Sequence, residues 1–596
     1  MRLTLLTKAL VIGGIAALAA VPFMGINQFW VFFITITFFQ TMLLASLNLT
    51  LGYAGLVSLG HNALFAVGGY ATAYFTVSRG APVMLGIFLG MVFGAMAGML
   101  LSLPAYRARA VYFGITTLSF LFIVSETVSK WQVLGGFRGF PNIPGLSLGG
   151  YRFGRNEYYW LALGVFVIAL GIIQQLSNSA VGRSFVAVRE NEPAAASLGI
   201  NVFGTKVLNL AISGGLAGLG GALFAHVAGG IFPEAASFIS GFRLFVAIVV
   251  GGVGTFAGPL VGTAVVATVD RFTVNWTTAQ PIIFGLMLIV SLAVLRLGIV
   301  GTVLTSRFAG LFLRIPKLET ARLEEGVRAG GAKPKAKRGK KEAILHVEGL
   351  SKHFEGVHAL VDVDIEVERG TIHGLIGPNG SGKSTFVNCV TGYLGRDTGK
   401  IVYDGKEVLS PRPHKMARDG VVRIFQKAET FGRLLVIQNV VMGLHLRADR
   451  NLVRCVMPLP GRRRHERRLI AEALQILADI GLAEHALTPV KGLPYGQQRL
   501  VEIARAIATR PRLLILDEPA TGLTSLELQK LASMLRALRD EGLTILIIEH
   551  NMEFLMDLVD QITVLERGRC IAVGKPERIQ QNEDVIEAYL GERVPA

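Results

Sequence analysis

Nine consecutive residues, Gly377-Pro378-Asn379-Gly380-Ser381-Gly382-Lys383-Ser384-Thr385, follow a short apolar run and open onto a helical stretch. This is a G-x-x-x-x-G-K-[ST] loop in the strand–loop–helix context that gives the pattern its chemistry. The glycines let successive backbone N–H groups turn toward phosphate oxygens, and the start of the helix adds a positive field. Lys383 is placed to reach the β- and γ-phosphates of a nucleoside triphosphate, and the Ser384 hydroxyl to ligate Mg2+. Further on, Leu513-Leu-Ile-Leu-Asp517-Glu518 is a buried-strand run ending in two carboxylates. The first suits Mg2+ and the second suits polarising an attacking water. A third run ends at Glu549-His550, from which the imidazole can reach the γ-phosphate from the opposite side. Gln426 closes the run 421–425, and Gly496 opens an amphipathic helix. Together these residues read as nucleotide hydrolysis.

The elements that must carry them are short, wholly apolar strands alternating with helical patterns, the signature of a parallel sheet covered on both faces. That reading holds from residue 344 to 596. It does not hold before it. The chain has 596 residues, of which 51% are hydrophobic and 17% charged, against roughly 25% charged in a soluble globular chain. Mean hydropathy is +0.50. The formal charge of +17 is concentrated early, with 17 Lys and Arg against 6 Asp and Glu in residues 1–315. Residues 345–596 are nearly neutral, which excludes nucleic acid as the partner behind the high pI. Three cysteines, Cys389, Cys455 and Cys570, show neither disulfide nor metal-ligand spacing and fit a reducing compartment.

Apolar stretches of about the 20 residues needed to cross a bilayer occupy 8–27, 29–50, 55–78, 82–104, 110–128, 158–176, 205–229 and 277–300. The stretch 238–269 is broken by Gly251-Gly252-Val253-Gly254-Thr255 and by Gly258-Pro259. It predicts a re-entrant or broken helix, or two short tilted spans, and is a candidate wall of a solute pathway. Counting it as zero or two crossings gives eight or ten spans. A cytoplasmic N-terminus then puts Arg2, Lys8, Arg107, Arg109, Arg183, Arg189 and Lys206 on the inner side, with the basic 129–157 loop outside. Gly214, Gly218 and Ala222 form a small-residue face suited to close helix packing. His61 reads as a packed or pathway-lining imidazole, and Glu126, four residues before Lys130, as interfacial. Residues 316–343 are a basic, Gly- and Ala-rich tether able to meet anionic lipid headgroups.

From 344 to 596 the chain resembles the ATP-binding cassette family, and "LPYGQQRLVEIARA", "LIIEHNM" and "VIEAYLGE" are similar to the ATPase subunits of branched-chain amino acid importers. In the first half, "LNLTLGYAGLVSLGHNALFAVGGYA", "VGRSFVAVRENEPAAASLGIN" and "VVGGVGTFAGPLVG" resemble the matching permease. The resemblance implies a polytopic α-helical membrane domain of about eight to ten spans, including the broken or re-entrant segment, over residues 1–315. A linker over 316–343 and an α/β P-loop cassette over 344–596 follow. It implies ATP and Mg2+ as cofactors, Glu518, His550 and Gln426 as catalytic groups, and Ser384, Gln426 and Asp517 as Mg2+ ligands. Phe354 takes the place of the adenine-stacking aromatic. Leu493, Pro494, Tyr495, Gly496 and Gln497 take that of the signature loop, which contacts the nucleotide of a second cassette. Arg189, Glu190, Glu192 and Gly199 fall in the cytoplasmic coupling segment. Implied partners are a second permease, a second ATPase, a periplasmic binding protein, membrane lipid and a small-molecule substrate; the implied location is a bacterial inner membrane.

Two departures stand out. Pro494 and Tyr495 replace Ser and Gly in the family's L-S-G-G-Q, and Thr524 follows Gly522-Leu523 where a carboxylate or amide is usual. The competing readings are the same machinery importing urea, short amides or aromatic or carboxylic acids, an exporter, and an ATP-gated channel or sensor. The span count of eight or more and the coupling segment argue against the exporter, which usually has six long helices.

Overall fold

The computed structural model describes residues 2–3, 5–105, 110–148, 151–276, 278–305, 313–314, 342–457 and 460–590. The linker reading over 316–343, the Arg107/Arg109 pair and the end of the C-terminal motif lie wholly or almost wholly outside these. The chain divides into two compact units. The first comprises Met1–Arg189, Val202–Leu318 and Arg450–Pro458; the second comprises Glu190–Asn201, Glu319–Asp449 and Leu459–Ala596.

The first unit is helical: α1 (Leu5–Ala20), α2 (Gln28–Leu47), α3 (Asn62–Ala73), α4 (Val83–Ala105), α5 (Ala110–Lys130), α6 (Arg155–Ser177), α7 (Ala180–Glu190), α9 (Val202–Ala228), α10 (Phe238–Gly251), α11 (Gly258–Thr273), α12 (Gln280–Val294) and α13 (Gly298–Thr305). Among the described residues, six helices are long and apolar enough to cross a membrane, and Ile12–Phe23 and Phe238–Gly251 are shorter apolar helices beside them. The stretch 8–27 forms α1 and runs directly into a 3-10 turn, Val21–Phe23. The stretch 55–78 falls short because Gly55, at φ 71°, ends the preceding turn and α3 begins only at Asn62. Hydropathy does not register such breaks. The glycine-broken segment forms two helices, α10 and α11, joined through 252–257.

Close helix contact follows from the small residues. A Cβ on Gly94 would stand 2.5 Å from the Gly214 carbonyl oxygen, and one on Gly98 would stand 2.1 Å from that of Leu210. Gly214, Gly218 and Ala222 on α9 therefore pack against Gly90, Gly94 and Gly98 on α4, so the small-residue face is a packing device. His61 is buried with Nε2 3.0 Å from Ser46 Oγ, and Glu126 pairs with Lys130 at 2.7 Å with both side chains exposed. Past α2 the helix widens into a π-turn, Asn48–Tyr53. Asn48 there donates to Thr255 O and accepts from Gly254 N, each at 2.8 Å, tying the turn to the 252–257 loop.

The second unit is built on two sheets. One is antiparallel, from β1 (Ala343–Phe354), β2 (Val357–Glu368), β4 (Thr398–Tyr403) and β5 (Lys406–Glu407), in the order β5-β4-β1-β2. The other has six strands: β3 (Ile372–Ile376), β6 (Val421–Ile424), β7 (Leu513–Asp517), β8 (Thr544–Ile548), β9 (Gln561–Glu566) and β10 (Arg569–Gly574), in the order β6-β7-β8-β3-β9-β10. All its pairings are parallel except β9–β10. Every residue of β3, β6, β7 and β8 is buried, as a strand covered on both faces requires. The carboxyl ends of β3, β6, β7 and β8 lie side by side, and all the hydrolytic candidates stand there.

Candidate nucleotide site

The phosphate loop leaves β3 and enters α14 (Lys383–Thr391). Gly377 is obligatory, since a Cβ on it would stand 2.0 Å from Leu565 O; Gly382, at φ 101°, turns the chain into the helix. The Lys383 ammonium is almost wholly buried and donates to Gly377 O at 2.7 Å and Pro378 O at 2.9 Å. Burial lowers its pKa, opposed by the nearby carboxylates of Glu518 and Asp517. Asn379, Gly380 and Ser384 are exposed, Pro378 and Thr385 half-exposed, and Ser381 buried.

Asp517 closes β7, and the chain turns sharply at Glu518, which sits at φ 48°. A glutamate in the left-handed region is strained and is held only where its surroundings fix it. Here Gln426 Nε2 donates to Glu518 Oε2 at 2.7 Å, and His550 Nε2 lies 2.7 Å from Oε1. A glutamine and a histidine, widely separated in sequence, thus converge on the Glu518 carboxylate. Behind it Glu549, buried, accepts from Ala520 N at 2.6 Å and His550 N at 3.0 Å, joining the loops that follow β7 and β8. Burial raises the Glu549 pKa against those hydrogen bonds.

Sequence reading missed the groups that hold this centre. Arg423, buried on β6, donates through Nη2 to Asp517 Oδ2 at 2.8 Å and through Nη1 to Asn388 Oδ1 at 2.5 Å. Arg499 is fully buried on α15 (Tyr495–Ala508). Its Nη1 reaches Phe425 O at 2.5 Å and Glu502 Oε2 at 2.7 Å, and its Nη2 reaches Asp517 O at 2.8 Å and Glu518 O at 3.3 Å. Burial pushes the Glu502 carboxyl up, against the pull of Arg499 and Arg505. One signal was readable: Arg499, Glu502 and Arg505 repeat at three-residue spacing on one face of a helix that is otherwise apolar there.

Leu493–Gln497 spans the approach to α15 and its first residues. Pro494 is its N-cap residue, outside the helix proper, and Gln498 Nε2 donates to Leu493 O at 2.8 Å to close the turn. Tyr495 is partly exposed with its ring over Gly522, where a Cβ would meet it at 2.9 Å. Thr524 N-caps α16 (Ser525–Asp540): its Oγ1 accepts from Glu527 N at 3.4 Å, while Glu527 Oε2 accepts from Thr524 N at 2.9 Å. The residue that departs from the family pattern is thus a capping residue. Phe354 lies exposed at the end of β1, with the Lys352 ammonium 5.6 Å from its ring centre. Among the described residues no group of three or more His, Cys, Asp or Glu is arranged to hold a metal. A Mg2+ shared between phosphate oxygens, one carboxylate and one hydroxyl needs none.

The coupling candidates divide between the units. Arg189, in the first, donates to Gly52 O of the π-turn. From Glu190 the chain belongs to the second, where α8 (Glu192–Ser197) begins under an Asn191 cap whose Oδ1 accepts from Ala194 N at 2.8 Å. Tyr393 Oη donates to Pro193 O at 2.8 Å, Asn191 Nδ2 donates to Glu429 Oε2, and Glu190 Oε1 lies 3.7 Å from Arg433 Nε. Glu192 is exposed, and Gly199, at φ 82°, lies under Leu446.

Residues 30–292 match the family described as "Branched-chain amino acid transport system / permease component". Residues 360–521 match "ABC transporter", and 569–595 match "Branched-chain amino acid ATP-binding cassette transporter". The high-affinity branched-chain amino acid transport ATP-binding protein BraF of Pseudomonas aeruginosa is 42% identical over 250 residues, covering 42% of this chain and 98% of BraF. LivG of Escherichia coli, described in the same words, is 39% identical over 252 residues, covering 42% of this chain and 99% of LivG. A solved nucleotide-free ATP-binding cassette from an ABC transporter aligns with 42% of this chain and all of its own, at 28% identity and TM-score 0.37. The chain therefore belongs to the branched-chain amino acid family of ATP-binding cassette transporters, as a membrane permease and an ATP-hydrolysing subunit joined in one polypeptide.

Proposed function

We propose that this chain couples ATP hydrolysis to the import of branched-chain or related hydrophobic amino acids across a bacterial inner membrane. The observation that carries the coupling is the Asn191–Glu429 contact, which joins the candidate coupling segment to the loop three residues beyond Gln426. The amino acid class is supported by the names of BraF and LivG and by the permease family match. That match also supports an importer over an exporter.

Residues 1–315 act as the permease, 316–343 as the tether and 344–596 as the ATPase. The loop 377–385 wraps the phosphates, Lys383 meets the β- and γ-phosphates, and Phe354 stacks on the adenine. Ser384, Gln426 and Asp517 hold Mg2+, which when bound neutralises charge on the β- and γ-phosphates. Glu518 polarises the attacking water, oriented by Gln426 and His550. The loop 493–497 meets the nucleotide of a second cassette through the backbone N–H groups at the start of α15. A second permease, a second ATPase and a periplasmic binding protein complete the assembly. ATP drives the cycle by binding the closed cassette pair better than the open one, since a ligand shifts a two-state equilibrium only by its differential affinity.

The test is uptake of labelled leucine, with urea and benzoate as competing solutes, into liposomes holding the assembly and ATP inside. The reading expects binding-protein-dependent leucine uptake. Export, or uptake of urea or benzoate alone, would replace it.

A further inference from the structure

We propose that Glu429, Glu502 and Arg499 are positioning residues that make hydrolysis at Glu518 depend on the seating of Asn191. The proposal rests on the reading of Glu518 as the water-polarising group. It follows one unbroken chain of contacts, all inside the second unit. Asn191 Nδ2 donates to the Glu429 carboxylate. The amide is oriented for this, because its Oδ1 is already taken as the cap of α8 by Ala194 N at 2.8 Å. The backbone N of Glu429 donates to Glu502 Oε1 at 3.3 Å, and its carbonyl accepts from Arg505 Nη2 at 2.8 Å. Glu502 holds Arg499 through Oε2 at 2.7 Å. Arg499 grips the chain on both sides of the reaction centre, at Phe425 O, one residue before Gln426, and at Asp517 O and Glu518 O.

The three side chains on α15 are buried to 0–4% exposure. A buried ion pair that loses one member leaves an uncompensated charge, so this cluster has little freedom to adjust piecemeal. A shift of Glu429 is therefore passed to the backbone carbonyls that set Gln426 and Glu518. Glu518 already has a strained φ of 48°, and a strained residue holds its geometry only as well as its supports do. The coupling segment would thus govern the rate of hydrolysis, not the grip on nucleotide.

The experiment exchanges donor for acceptor across the first contact. Asn191→Asp keeps a side-chain oxygen to cap α8 but presents Glu429 with a like charge; Glu429→Gln supplies a donor in its place. Steady-state hydrolysis is measured on the full-length chain with its co-purified subunits in lipid nanodiscs, together with binding of a fluorescent ATP analogue. Asn191→Asp should lower kcat at least about 10-fold with KM for ATP changed less than about 2-fold; Glu429→Gln, whose amide oxygen still accepts from Asn191, should stay within about 3-fold of the parent, and the pair N191D/E429Q should recover to within about 3-fold. Glu502→Gln should lower kcat to a similar degree as N191D, and adding N191D to it should cost less than a further 2-fold. Failure of the pair to recover, additive losses, or KM moving with kcat would overturn the relay. If E502Q does not fold, the exchange pair decides alone. Glu518→Gln serves as the separate check: full hydrolysis by that variant removes Glu518 from the chemistry, whereas an inactive E518Q with an unrescued exchange pair overturns the relay only.

Discussion

Glu518 and His550 face one another at 2.7 Å, Oε1 to Nε2, while the other carboxylate oxygen is held by Gln426. Both oxygens are thus oriented from outside the residue. Removing the charge while keeping the shape tests the assignment. Glu518→Gln should bind ATP as the parent does and lower kcat by about 100-fold or more, within the range for a general base. Normal turnover in a single-turnover phosphate-release assay would exclude Glu518.

Arg423 is the sole buried cation whose guanidinium meets Asp517 side chain to side chain among the described ion pairs. Arg423→Met leaves that carboxylate buried without its partner, a loss of about 3–5 kcal/mol for pairs of this kind. We expect a lower unfolding midpoint and a steeper Mg2+ requirement for hydrolysis, read by titrating Mg2+ at fixed ATP.

His373, wholly buried on β3 with Nε2 2.9 Å from Thr563 Oγ1, has its pKa lowered by burial from 6.5 to about 4. A depressed folded value means that the unfolded chain binds the proton first. Its contribution to stability is therefore intact above pH 6.5 and declines as the pH falls to about 4, by about 3 kcal/mol in total. His373→Gln should flatten that part of the stability profile, followed by thermal unfolding of the full chain between pH 7 and pH 4. An unchanged slope would count against the assignment.

Gly94 and Gly164 offer a paired comparison in the helical unit. A Cβ on Gly94 meets the Gly214 carbonyl at 2.5 Å, while one on Gly164 meets nothing within 4 Å. Gly94→Val should destabilise by about 1–3 kcal/mol, the usual cost of overpacking, and Gly164→Val by much less. Thermal loss of helical circular dichroism in detergent measures both.

What was legible in the sequence was local. The loop 377–385 and the strands ending at Asp517 and Ile548 are contiguous patterns, and each lies where its residues predicted. Arg423, Glu549, Arg499 and Glu502 escaped because each acts on a partner far along the chain; only the three-residue spacing of Arg499, Glu502 and Arg505 offered a local trace. The division of the apolar stretches into helices was less legible. Hydropathy sums side chains, whereas the stretch 55–78 is helical only from Asn62, after the turn at Gly55. Thr524 was read as a lost carboxylate because its role as the cap of α16 is a property of the turn.

Glu527 serves the Thr524 cap, and its Oε1 would stand 2.5 Å from a Cβ on Gly496 at the start of α15. One carboxylate thus lies against the opening turns of two helices, drawn to the positive end of each. A side chain at position 496 would force that carboxylate to move aside. The bare glycine there is what lets a single carboxylate close the Thr524 turn while lying beside the first turn of α15.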